Sequence, residues 1–308
     1  MKCMGSLLKV LPLPAGDLAN STFNISLSGK IRLEGRKSTS PVVVGDHIEY
    51  KSTSSGKVIT GILPRKNFIH RKSLNLSKQT HILAANIDQA ILMVTLKKPI
   101  TSSGFIDRFL ISSEAQSVSV TLFFNKTDLL SEKERTALND KMRLYSSLGY
   151  PCYAFSALEK DQCRKMQGVL LGKINLISGH SGTGKSTFVN QVQDKFKLRS
   201  GPISEIHEKG KHTTTFSEMI PLELGGYIID SPGIKEMGLV EIEKEKLPYC
   251  FPEFRERMLH CRFNNCMHLE EPDCAVKEAL GTEINSERYN SYLSMLNSEE
   301  ALKKPWTK

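Results

Sequence analysis

The chain has 308 residues, 39% of them hydrophobic and 24% charged, with a net charge of +9. That is room for two or three domains with real cores, and an ordinary soluble composition rather than a disordered or low-complexity one. No apolar run reaches membrane-spanning length and MKCMGSLLKV is too short an apolar start for a secretory signal, so the expectation is a cytoplasmic protein with no membrane partner.

Residues 1–73 hold twelve Lys/Arg against four Asp/Glu, while the rest hold thirty against twenty-nine. Such a concentrated basic excess is either a solvated surface or a contact for RNA or DNA phosphates. The candidate contacts are Lys30, Arg32, Arg36, Lys37, Arg65, Lys66, Arg71 and Lys72. The same segment reads as all-β. PVVVGDHIEYK (41–51) is strand-like around a Gly45-Asp46 turn, and SSGKVITGILPR (54–65) follows as turn then strand. Short strands without helical periodicity suggest a small barrel.

From about residue 74 strands alternate with helices. DQAILMVTL (88–96) and SVTLFFN (119–125) are continuous apolar runs, as in strands buried on both faces. Phe105–Glu114 has helical spacing. Ser131 and Glu134 form a capping box for a charged helix that Gly149 closes. YPCYAFSA (150–157), KINLISG (173–179) and GGYIID (225–230) are further strands. The pattern predicts an α/β domain with a parallel sheet, with ligands at the carboxyl ends of its strands. After about 247 the pattern changes again, and ERYNSYLSMLNSEEALKK (287–304) predicts a helix. Expected boundaries are therefore 1–73, 74–246 and 247–308.

GHSGTGKS at 179–186 follows an apolar strand and opens a helix, the context a phosphate loop requires. Backbone N–H groups of Gly179, His180, Ser181, Gly182, Thr183 and Gly184 can wrap phosphates at a helix N-terminus, with Ser186 and Thr187 in its first turn. Lys185 reaches the outer phosphates and Ser186 can ligate Mg²⁺. Asp230 ends a strand, where a carboxylate can hold Mg²⁺, and Gly233 of DSPG can sense a terminal phosphate. In KGKHTTT (209–215), Thr213 or Thr214 can ligate Mg²⁺ when that phosphate is present, as a switch segment does.

The base is chosen by NKTD, that is Asn125, Lys126, Thr127 and Asp128. The Asp128 carboxylate can accept from the two adjacent donors of guanine, a pair adenine lacks; such a site rejects the analogue by roughly 10⁴–10⁵. Asn125 and Lys126 would fix the loop and cover the base, and Ser156-Ala157 could offer a backbone contact to the guanine carbonyl. These parts make a GTPase with the base-reading half placed before the phosphate half, a circular permutation that surface chain ends permit.

Seven cysteines is an odd number, and three crowd between 261 and 274. Cys261, Cys266, His268 and Cys274, spaced C-x₄-C-x-H-x₅-C, make a closed tetrahedral set for one structural Zn²⁺.

Taken together, the basic β segment, NKTD–SA–GHSGTGKS–KHTT–DSPG and CRFNNCMHLEEPDCAV resemble the circularly permuted GTPases of small-ribosomal-subunit biogenesis, the RsgA (YjeQ) family. The resemblance runs over essentially the whole chain. It implies an N-terminal OB-fold barrel, a central permuted P-loop GTPase domain and a mostly α zinc-binding C-terminal domain. It also implies GTP hydrolysis stimulated by the small subunit and coupled to release, with the subunit's rRNA as the polyanion. Ser231 stands where the family more often has Thr. Ile234 is apolar where many GTPases carry a water-orienting Gln, which leaves His212 as a candidate catalytic group. Two other readings differ in their predictions. A GTP-gated rRNA-binding checkpoint would need affinity and only incidental hydrolysis, whereas a P-loop kinase or ATPase with a fortuitous NKTD would accept ATP. A monomer is the default expectation.

Overall fold

The computed structural model describes residues 2–4, 7–11, 22–27, 41–54, 56–72, 80–193, 218–223, 225–230 and 242–298. His212, Thr213, Thr214, Ser231, Gly233 and Ile234 lie outside these residues, as do Lys30 to Lys37 and the last turns of the helix expected to run to 304.

The N-terminal part is built of β1 (Lys2–Met4), β2 (Leu7–Val10), β3 (Phe23–Leu27), β4 (Ile48–Thr53), β5 (Gly56–Ile62) and β6 (Phe68–Lys72), and β7 (Thr80–Ala85) follows it. The N-terminal part has a small core of its own around Leu8, Val10, Ile25, Val42 and Ile59. The described strands run in the order β1-β2-β3-β5-β4 as one ribbon, and β6 pairs with β7. Asp46, expected as a turn residue, does more. It accepts from the Val43 N–H at 2.8 Å and is paired with Arg65 at 2.6 Å, itself 3% exposed. Arg65 is thus engaged internally rather than presented to a polyanion. Ile69 and Ala84, from the β6–β7 pair, pack into the central core.

The central sheet contains β8 (Gln89–Val94), β9 (Ser119–Phe124), β10 (Cys152–Ala154), β11 (Ile174–Ser178), β12 (Glu218–Pro221) and β13 (Tyr227–Asp230). Its order is β10-β9-β8-β11-β13-β12, and β1 pairs with β12, so the N-terminal ribbon continues the same sheet. The five strands β10, β9, β8, β11 and β13 are parallel, and β12 is antiparallel to β13. Every residue of β8 is buried, which is why it reads as an unbroken apolar run.

Helices α1 (Ser103–Glu114), α2 (Glu132–Ser147), α3 (Lys160–Leu170) and α4 (Lys185–Val192) join these strands. The α2 capping box is present, with the Ser131 side chain accepting from the Glu134 N–H and the Glu134 carboxylate accepting from the Ser131 N–H. The C-terminal part holds α5 (Pro252–Met258), α6 (Ala275–Glu278) and α7 (Ser286–Asn297). Its core joins Phe251, Phe254, Val276, Tyr292 and Met295 to Cys266 and Cys274, and it also takes Ile111 of α1. Helix α1 is therefore buried on two faces. Phe105, Ile106, Phe109 and Leu110 face the central core, while Asp107, Ile111 and Glu114, at i, i+4 and i+7, face the C-terminal part. No helix of the described residues is long and apolar enough to cross a membrane.

Candidate guanine-nucleotide site and metal cluster

The chain leaves β8 towards β9 on one side and leaves β11 towards β13 on the other. The gap between the carboxyl ends of β8 and β11 is thus a point of reversed strand order, where open α/β sheets bind ligands. The phosphate loop sits there, between β11 and α4. Its glycines carry the geometry. Gly179, Gly182 and Gly184 have φ of 138°, 81° and 94°, all left-handed values that other residues avoid. A Cβ on Gly179 would meet the Met93 carbonyl oxygen at 2.6 Å, so the loop also lies tight against β8.

NKTD follows β9, the next strand over. Asn125 is 4% exposed, and it joins the two halves of the site. Its Nδ2 donates to the Thr183 carbonyl at 2.8 Å, and its Oδ1 accepts from the Ala157 N–H at 2.8 Å. One amide side chain thereby ties the phosphate loop to the base loop and to the Ser156-Ala157 turn. Gly184 is part of this clasp, because a Cβ there would stand 2.2 Å from Asn125 Nδ2. Of the Ser156-Ala157 pair, expected to offer a backbone contact to the guanine carbonyl, the Ala157 N–H is here the partner of Asn125.

The Asp128 side chain is exposed beyond the end of β9, where a base could reach it. It is oriented by the Ser156 hydroxyl, which donates to Oδ1 at 2.6 Å. Ser156 is in turn fixed by Gln162 of α3, whose Oε1 accepts from the Ser156 N–H at 2.9 Å. Lys126 adopts φ 65° and donates from Nζ to the Lys98 carbonyl, so the loop after β8 is drawn over the base loop. The same loop places Pro99 beside Gly182 of the phosphate loop.

Lys185 Nζ donates to the carbonyls of Gly179 and His180, both at 2.6 Å. A phosphate would offer stronger, charged acceptors to the same ammonium. Thr183 Oγ1 donates to the His180 carbonyl at 2.9 Å, and Ser186 and Thr187 stand in the first turn of α4. The His180 ring lies on Phe105 of α1 with centroids 3.9 Å apart. Burial, and then the nearby Lys185 charge, depress the His180 imidazole below its ordinary range. Asp230 closes β13, the strand next to β11.

The second cluster was legible by spacing alone. The ligand atoms of Cys261, Cys266, His268 and Cys274 lie within 4.8 Å of one another. His268 Nδ1 is 3.7 Å from Cys261 Sγ and 3.4 Å from Cys274 Sγ. A tetrahedral zinc with bonds of about 2.3 Å to sulfur and about 2.0 Å to nitrogen places S and N about 3.5 Å apart. The cluster therefore fits a closed zinc site. Burial first of all pushes the Cys266 thiol up to about 12, so a cation is what would make thiolates of this set. From α7, Tyr289 and Tyr292 donate to the carbonyls of His268 and Met267 at 2.5 and 2.6 Å and hold the ligand loop.

Sequence reasoning missed Gln162, Phe105, the Lys98-Pro99 loop, and a buried ion network that ties the C-terminal part to α1. In that network Arg288 of α7 pairs with Asp107 at 2.8 Å and with Glu253 at 2.7 Å, and all three side chains are at most 5% exposed. The only available signal was the set of charges inside otherwise apolar helical faces.

A phosphate loop and an NKxD loop clasped together at the switch point of a parallel sheet, with the base-reading strands first in the chain, define a circularly permuted GTPase fold. The RsgA GTPase family model matches residues 62–240, and the chain belongs to that family. The small ribosomal subunit biogenesis GTPase RsgA of Phocaeicola vulgatus is 46% identical over 281 residues, covering 91% of each chain. RsgA 2 of Bacteroides thetaiotaomicron is 48% identical over 276 residues, 89% of each. Among solved structures, YjeQ from Thermotoga maritima superposes with a TM-score of 0.76 at 32% identity, covering 95% of this chain and 94% of that one. YloQ, described as a circularly permuted GTPase, has the same fold at a TM-score of 0.72 and 24% identity, covering 96% and 91%.

Proposed function

We propose that this protein hydrolyses GTP to GDP and phosphate in the biogenesis of the small ribosomal subunit, binds that subunit and its rRNA, and is released after hydrolysis. The observation that carries this reading is the Asn125 clasp, which holds a guanine-reading loop and a phosphate loop in one site. The names of its close relatives supply the subunit as partner.

In this reading residues 1–73 form an OB-fold that binds rRNA, 74–246 the permuted GTPase domain and 247–308 a zinc-binding domain. The Asp128 carboxylate, oriented by Ser156, accepts from the guanine ring N–H and amine. The N–H groups of 179–187 wrap the phosphates, and Lys185 leaves its loop carbonyls for the outer phosphate oxygens. Ser186, Thr214 and Asp230 would hold Mg²⁺, which neutralises charge on the phosphates when bound. Thr213 is the alternative switch ligand for Mg²⁺, and Gly233 senses the terminal phosphate. Ile234 offers no carboxamide to the attacking water, and His212 takes that role when the subunit is bound. Hydrolysis by the free protein is then slow. Cys261, Cys266, His268 and Cys274 hold one structural Zn²⁺. The protein acts as a cytoplasmic monomer.

The test is the steady-state GTP hydrolysis rate, alone and with purified small ribosomal subunits, with ATP as the control nucleotide. GTP-selective stimulation by the subunit is expected. Equal use of ATP, or no stimulation, would overturn the base or the partner respectively.

A further inference from the structure

Helix α1 is the structural meeting point of the two sites described above. Its first turn touches the phosphate loop, since Phe105 carries the His180 ring at 3.9 Å. The loop that enters it is closed on itself by the Thr101 N–H donating to the Thr95 carbonyl at 2.7 Å, and packs Pro99 against Gly182. Two residues beyond Phe105, Asp107 points the other way, into the C-terminal part. It accepts from Arg288 Nη1 at 2.8 Å, from the Ser291 hydroxyl and, within its own domain, from the Tyr145 hydroxyl at 3.0 Å. Arg288 is 1% exposed, its second partner is Glu253 of α5, and its guanidinium lies 4.9 Å from the Phe251 ring centroid. At the far end of α1, Glu114 pairs with Arg255 at 2.6 Å. On α7, the residues next to Arg288 and Ser291 are Tyr289 and Tyr292, which hold the carbonyls of the zinc-ligand loop.

A chain of direct contacts thus runs from the Cys/His cluster through α7, Arg288 and Asp107 to α1, and from Phe105 to the phosphate loop. The fork of Arg288 is planar and satisfied on both sides, by Glu253 and by Asp107, so it fixes the direction of α7 against α1 as well as the distance. A bare cation would hold the parts together but would not fix their angle. Stability alone does not require this device, because a buried ion triad is commonly no better than apolar residues of the same volume.

We propose that Arg288 is a positioning residue for the nucleotide site: through Asp107 and the Phe105–His180 stack it sets the phosphate loop, and nucleotide binding is thereby coupled to the orientation of the zinc-binding part. This rests on the nucleotide-site reading given above. It is independent of the segment after β13 and of the identity of the ribosomal partner. Coupling is reciprocal, so the nucleotide must act on α7 as strongly as Arg288 acts on the nucleotide.

The experiment measures affinity for a fluorescent GDP and a fluorescent GTP analogue in the full-length, zinc-loaded protein. The variants are Arg288→Lys, Arg288→Met, Phe105→Leu and the pairs Arg288→Lys/Phe105→Leu and Arg288→Met/Phe105→Leu. Typical coupling corresponds to a change of about fivefold or more in affinity. Weaker nucleotide binding by at least that factor is expected for Arg288→Met, and also for Arg288→Lys, since Lys keeps the charge and loses the fork. The effect of either Arg288 change should largely vanish in the Phe105→Leu background. Unchanged affinity in folded Arg288 variants would overturn the proposal and leave a purely structural tie. Full additivity with Phe105→Leu would overturn the route through the stack. If the Arg288 variants fail to fold, amide exchange of residues 286–297 in the unmodified protein, with and without GDP, decides the matter. Added protection is expected, and identical exchange overturns the coupling. A protein that binds no guanine nucleotide in any form contradicts the nucleotide-site reading itself, a result distinct from an unchanged affinity.

Discussion

Replacing Asn125 by Ala tests whether one side chain holds the two halves of the nucleotide site together. The substitution leaves the Thr183 carbonyl and the Ala157 N–H without the partners they have at 2.8 Å. Each orphaned buried group costs about 1–3 kcal/mol, so the pair costs about 2–4 kcal/mol once partial relaxation is allowed. Part of this appears as lost stability. The remainder appears as lost affinity, because the nucleotide must now order two loops that were ordered in advance, and each 1.4 kcal/mol is about tenfold in Kd. The expected result is a weakening of GDP binding by about 10- to 100-fold with a lowered Tm, read by fluorescence titration and thermal melting. Gly184→Ala reaches the same clasp from the other side. Its Cβ would stand 2.2 Å from Asn125 Nδ2, and its φ of 94° adds about 1–2 kcal/mol of left-handed strain. Because both changes break one contact set, the double variant should lose less than the sum of the two. Wild-type affinity in Asn125→Ala, or full additivity with Gly184→Ala, would refute the argument.

In the proposed site, Asp128→Asn replaces one of the two carboxylate acceptors offered to guanine by an NH₂ donor. The wild type should prefer GTP over ITP, which lacks the guanine amine, and competition binding should show this preference lost in the variant. With zinc held by the Cys/His cluster as proposed, a chelator should release the packing of residues 242–298, seen as lost amide protection there while β8, β9 and β11 stay protected, and Cys274→Ala should act alike. Glu134 is held down to about 2, first by the Ser131 N–H and then by Lys97. A depressed carboxylate stabilises the fold above its unfolded value and loses that contribution as pH falls. The start of α2 should therefore fray as pH drops from about 4.5 towards 2. Amide exchange at Glu134 would report the loss, and Glu134→Gln, which removes the titrating carboxyl, should abolish the pH dependence.

The phosphate loop, NKTD and the Cys/His cluster were legible because their chemistry demands fixed residue types at fixed local spacings, and the structure brings each set together. The buried strands were legible for a related reason, since a strand covered on both faces has no polar positions to disguise it. Helix α1 was only half legible. Phe105, Phe109 and Leu110 announce one buried face, but the second face is made of Asp107, Ile111 and Glu114, and two of those look like solvent-facing charges until Arg288 and Arg255 arrive from a distant part of the chain. Gln162 and the Lys98-Pro99 loop escaped notice because nothing near them in sequence specifies their partners. Arg65 misled in the opposite sense. Its charge counted towards a basic surface, while the fold commits it to Asp46.

The order of the motifs, which looked anomalous along the chain, is immaterial in the sheet. What the site needs is that the ends of β8, β9 and β11 lie side by side, and hydrogen-bonded register supplies that whatever order the strands are made in. Opening the chain before β8 instead of before β11 does change what sits at the borders of the domain. The N-terminal ribbon joins the sheet at β12, which covers an edge that would otherwise offer unpaired backbone groups. The C-terminal part packs on α1, the first helix of the permuted domain and the one that touches the phosphate loop. Both appended parts are therefore attached to elements that flank β11, at a remove of one helix or two strands. A permuted order is a direct way to place an N-terminal and a C-terminal attachment on opposite flanks of one nucleotide site.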